Sequence, residues 1–181
     1  FKDAFELYES QALTLPKDRA KAIAHSNVGE YTFDRVVEYM DKTKNSFTPE
    51  EFKEFAKAAF EKGKHEKALE LYEKAGKLVS SQEYWVQGER ILSLVKEIES
   101  SRDSYSTGIV WPSVSAAYGY LSRSNPSEAK QRITRYADQL LDQPDFAKIS
   151  NNLDAFSKIY EMIQLPIPID RALKAAKFAE E

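Results

Sequence analysis

The chain is 181 residues long, 42% hydrophobic and 30% charged, with 6 Gly, 7 Pro, no Cys and a net charge of -3. This excludes disulfide frameworks, thiolate nucleophiles and Cys-ligated zinc, and the near-balanced charge offers no broad cationic surface for a phosphate backbone. No apolar run approaches the roughly 20 residues that span a bilayer, and no secretory h-region is present.

Helix signals recur along the chain. The first, over about 1–12, places Ala4, Phe5, Tyr8 and Ala12 on one face. The chain opens on Phe1 with helix signals already running, so a fragment that begins inside a longer helical array is expected. Pro16 opens a second helix that runs to about Asn27 and carries Ala20, Ile23 and Ala24. Gly29 turns the chain into a third helix at about 31–43, whose apolar residues are Phe33, Val36, Val37 and Met40. Thr48, Pro49 and Glu51 then form a capping box for a fourth helix, which Gly63 ends. A fifth helix is expected over about 65–79.

Ser81 is the expected cap of a longer helix with the apolar stripe Ile91, Leu94, Val95 and Ile98. Residues 100–110 read as the longest loop, and Pro112 as the start of the next helix, which runs to about Ser122. Asn125-Pro126 leads into a helix ending near Asp142, and Gln143-Pro144-Asp145 separates it from one ending near Gln164. Leu165-Pro-Ile-Pro-Ile169 is a proline-stiffened connector before a last helix that starts near Asp170 and runs through Lys177. No segment sustains the alternation of a strand. A single domain over 1–181 is expected.

Small residues recur within this helical pattern. Ala4, Val36 and Ala68 lie 32 residues apart, in the contexts Ala-Phe-Glu-Leu-Tyr-Glu, Val-Val-Glu-Tyr-Met-Asp and Ala-Leu-Glu-Leu-Tyr-Glu. Ala129 with Ile133 and Tyr136 repeats the offsets of Ala68, Tyr72 and Ala75, and Ala172 with Ala176 and Ala179 is a fifth instance. A small side chain lets the two helices of a hairpin approach, and a bulky one fills the groove toward the next hairpin. The best instance is 55–75, with Ala56, Ala59, Ala68 and Ala75 against Phe60, Leu71 and Tyr72.

This pattern resembles the tetratricopeptide repeat, with the related pentatricopeptide repeat slightly longer. The resemblance implies an all-α chain of nine or ten helices, stacked as antiparallel hairpins in a right-handed α-solenoid. It further implies that the first helix of each hairpin lines a concave groove, so Lys53, Lys57, Phe60, Val114 and Tyr118 become the candidate partner-binding residues. A two-carboxylate clamp built from Lys and Asn, as in chaperone-binding members, has no matching Asn set here.

The remaining motifs are weaker. Asp41 to Phe52 has the oxygen-bearing spacing of a calcium loop, but Ser46 replaces the required Gly and Phe52 the bidentate Glu. His25 and His65 have no metal-ligand spacing, and His65 stands where an aromatic packs near the hairpin turn. No Gly-x-Ser-x-Gly turn and no Gly-rich phosphate loop occurs. Trp85, Trp111, Tyr118 and Tyr120 concentrate aromatic surface around the long loop, mostly as expected core.

The expectation is therefore a non-catalytic scaffold for a peptide or partner subunit, with no cofactor and no metal. A degenerate pentatricopeptide array that reads RNA is the alternative, and an enzyme with a non-local site a remote third. The net charge of -3 argues against RNA, although Arg123, Lys130, Arg132 and Arg135 make a local basic region.

Overall fold

The structure is a computed structural model that describes residues 2–11, 13–100, 107–142 and 152–179. The described residues are all-α, with no strand among them. The helices are α1 (Lys2–Ser10), α2 (Lys17–Ser26), α3 (Tyr31–Lys42), α4 (Pro49–Glu61), α5 (His65–Ala75), α6 (Ser81–Ser100), α7 (Thr107–Ser124), α8 (Pro126–Leu141), α9 (Asn152–Ile163) and α10 (Ile169–Ala179). They gather into two compact units, Phe1–Val79 and Ser80–Glu181.

In the first unit α2 packs on α3 and α4 on α5, while α1 also touches α3 and α2 touches α4. The core is aromatic. Phe33 meets Phe55 edge-on at 5.5 Å, and Phe47 from the α3–α4 connection meets Phe55 at 5.0 Å. Edge-to-face contacts of this kind add to the stability that comes from burying the rings. Val36, Ala56, Ala59 and Ala68 have no exposed surface, so the small residues do lie at helix contacts.

Local chemistry sets the helix ends. Thr48 Oγ1 accepts from the Glu51 amide while the Glu51 carboxylate accepts from the Thr48 amide at 2.7 Å, and Pro49 occupies the first turn. The helix α5 stops at Ala75 rather than near 79, because Gly76 adopts φ 59° and ψ -127°, a conformation essentially reserved for glycine. A short 3-10 turn, Gly76–Leu78, follows.

In the second unit α6 and α7 form the main hairpin, α8 packs on α7 and α9, α7 touches α9, and α10 lies on α8. Its core includes Ile91, Leu92, Val95, Ala117, Tyr120, Ala129, Ile133, Tyr136, Phe156 and Tyr160. The α6 cap is Ser80, not Ser81: its hydroxyl accepts from the Glu83 amide and its own amide donates to the Glu83 carboxylate. Pro112 does not start α7 but lies inside it, the helix beginning five residues earlier at Thr107. The one intrahelical bond Pro112 cannot donate is to the carbonyl of Gly108. Of the expected loop 100–110, residues 107–110 are helical and 101–106 lie outside the described residues, as does the expected separator Gln143-Pro144-Asp145.

Candidate functional site

The first unit carries three of the expected partner-binding residues, all on α4. At 100° per residue, the buried residues Phe55, Ala56, Ala58, Ala59 and Phe60 occupy an arc of roughly 200°. Such a wide arc follows from packing on two sides, against α2 and α5. Lys53 lies at its edge and is half-buried, and its ammonium donates to the Leu78 carbonyl at 2.6 Å. Lys57 lies farther round and is exposed. Phe60 is 4% exposed and its ring meets His65 at 4.8 Å across the hairpin turn. Lys53 and Lys57 thus share a face, whereas Phe60 belongs to the core of the hairpin.

The other two lie on α7 in the second unit. Val114 is 1% exposed and Tyr118 half-buried, so Val114 too is a core residue. In both corrections the cause is that a helix packed on two sides leaves only a narrow face to solvent. Trp85 is half-buried and Tyr120 fully buried, and the Trp111 side chain lies outside the described residues. The small residue Ala172, an expected helix-contact position, is exposed with Ala176. They share a stripe of α10 with Ile169, 80% exposed, and Leu173, 60% exposed.

The calcium-like segment is used for helix formation. Asp41 lies inside α3, and the Glu51 carboxylate is occupied by the Thr48 amide and by Lys17 at 3.1 Å. Burial pushes the Glu51 pKa up, but the Thr48 and Lys17 bonds outweigh it and hold the carboxyl below its ordinary value. No cluster of three His, Asp or Glu able to hold a metal occurs among the described residues. No helix among them is long and apolar enough to cross a membrane.

Two open grooves run along helix faces. One, of about 510 Å³, is lined by Asp18, Lys21, Ala22, His25 and Ser26 of α2. The other, of about 540 Å³, is lined by Ser127, Lys130, Gln131, Thr134 and Arg135 of α8, with Leu165 from the connector before α10. Both use positions i, i+3, i+4, i+7 and i+8, which form one stripe of a helix. Their charges differ. Lys21 is paired with Glu54 at 2.6 Å, a bond that raises its pKa, and Asp18 adds a negative charge beside it. Arg132, next to the α8 groove, is committed elsewhere: its guanidinium donates to both oxygens of Glu89 on α6, at 2.7 and 2.9 Å.

The α8 groove was legible only in part, as the basic run 123–135. Its lining could have been found by testing the helix for one stripe of polar residues, but the contribution of Leu165 depends on tertiary packing. No family model, no curated protein and no solved structure matches this chain.

Proposed function

We propose that this chain is a non-catalytic interaction scaffold of tetratricopeptide-like hairpins that holds a partner protein or peptide on its open helix faces. One observation carries the reading: α2 packs on α3, α4 on α5, α6 on α7 and α8 on α7 and α9, and α1 touches α3, α2 touches α4, α7 touches α9 and α8 touches α10, with Val36, Ala68, Ala117 and Ala129 buried in those units. Hairpins stacked as a solenoid would leave the outer faces of α2, α4 and α8 available to a ligand, and these contacts support that reading. On α4 that face bears Lys57 with Lys53 at its edge.

Affinity capture on the tagged chain, followed by mass spectrometry with and without RNase, tests the reading. A defined protein partner retained after RNase treatment is expected. Capture of RNA alone, or of proteins that all disappear with RNase, overturns it in favour of an RNA-reading array.

A further inference from the structure

We propose that the α8 groove is a docking site for an acidic segment of a partner protein; this rests on the scaffold reading and names the face and chemistry it uses. The ionic inventory of α8 carries the proposal. The Glu128 carboxylate accepts from the Asn125 amide group, and Arg132 is bound by Glu89. Asp138 accepts from Arg171 at 3.2 Å, and Asp142 from Lys174 at 2.6 Å. Of the three cations of α8, Arg132 is the one paired with a carboxylate of the described residues; Lys130 and Arg135 are not, and both line the groove.

Their placement defines the ligand. Five residues apart, they lie about 140° apart around the helix and about 7.5 Å apart along it. Ser127 and Thr134 lie between them on the floor, with Gln131 beside Arg135. Two cations so separated suit successive carboxylates of a chain better than one compact anion. The floor supplies hydroxyl and amide groups for a peptide backbone, and Leu165, 41% exposed, supplies an apolar wall for a flanking side chain. RNA fits less well: the lining includes no aromatic ring among the described residues on which a base could stack, and two cations neutralise few phosphates. The α2 groove has the same shape class but no unpaired excess of positive charge, so it does not share the preference.

Fluorescence anisotropy on the full chain tests the proposal, with a labelled peptide of Glu-Glu-Leu repeats, a Gln-for-Glu counterpart and an oligouridylate as probes. The acidic peptide is expected to bind saturably, more tightly than both others, and more weakly as salt rises. Lys130→Gln with Arg135→Gln should weaken it roughly tenfold, as loss of two charge-assisted contacts does. Lys77→Gln with Lys96→Gln removes the same charge elsewhere and should change binding less than about twofold. Circular dichroism of both doubles confirms that they fold. Equal loss in both doubles, no saturable binding, or preference for the oligouridylate overturns the proposal. Failure of the scaffold reading looks different: the peptide would bind as expected while the chain captures no protein. Conversely, a captured partner that the groove double still holds would move the site off α8 and leave the scaffold reading standing.

Discussion

Single atoms decide how closely the helices approach. Ala68 has no exposed surface where α5 meets α4, so Ala68→Leu should overpack the hairpin and cost roughly 1–3 kcal/mol, read as a lower midpoint in urea unfolding. An unchanged midpoint would show that the hairpin contact has room to spare. Gly88 plays a comparable part on α6 and carries no repeat signature. A methyl added there would lie 2.7 Å from Leu121 Cγ and 3.1 Å from the Ala117 carbonyl oxygen. In an exposed helix, Gly→Ala would gain about 0.5–1 kcal/mol, but overpacking costs about 1–3, so the clash wins. Gly88→Ala is expected to be less stable than the parent by about 1 kcal/mol; a gain in stability would mean that α6 and α7 can separate without loss. The two lysines of α4 should also part company. Lys57→Glu is expected to move stability by less than about 0.5 kcal/mol, whereas Lys53→Glu, which forfeits the bond to the Leu78 carbonyl, should cost about 1 kcal/mol. Thermal melts of the two single variants separate these outcomes.

At the level of the element, the capping box of α4 is the clearest case of local chemistry. Thr48→Ala removes the acceptor for the Glu51 amide and should cost about 1 kcal/mol. Glu51 adds a pH dependence. Its carboxyl is held below its ordinary value, so it binds a proton less readily in the folded chain than in the unfolded one. The stability it contributes is therefore fully present above the unfolded value and is lost as pH falls through the lowered folded value. Glu51→Gln should flatten that acidic limb of a stability–pH profile, and an unaltered limb would show that the Thr48 and Lys17 bonds do not favour the ionised form. Helix α7 shows the limit of local signals. A proline is a good opener of a helix, and Pro112 reads that way, yet α7 starts at Thr107 and accommodates the proline inside. Packing of α7 against α6, α8 and α9 outweighs the loss of one backbone bond.

For the molecule as a whole, the division at Val79 matters most. The first unit contains its own aromatic core of Phe5, Phe33, Phe47 and Phe55. A chain ended after Val79 is expected to fold by itself, with a cooperative thermal transition followed by circular dichroism. A gradual, non-cooperative loss of helicity would mean that residues beyond Val79 are needed to complete that core. The break carries no Pro, Gly or polar linker long enough to announce it, since Val79 and Ser80 lie between the 3-10 turn and α6.

The sequence by itself determined the helical class and most helix positions, because these rest on short-range chemistry: Thr48 with Pro49 and Glu51, and Asn125 with Pro126. Of the expected α6 stripe, Ile91 and Val95 are buried but Leu94 is 40% exposed, and the Ile98 side chain lies outside the described residues. It also marked Ala56, Ala59, Ala68 and Ala129 as contact residues, which helical spacing and size alone imply. Only the tertiary structure decided which side of a helix stays open. Phe60 and Lys57 are three residues apart on α4, yet packing on two sides buries the first and leaves the second in water. The same holds for charge. Nothing local separates Arg132 from Lys130 and Arg135, but Glu89, 43 residues away, occupies Arg132 and leaves the other two beside the groove. An ion pair depends on distance in space, and that distance is set by how α6 and α8 are placed within the second unit, not by the residues on either side of the arginine.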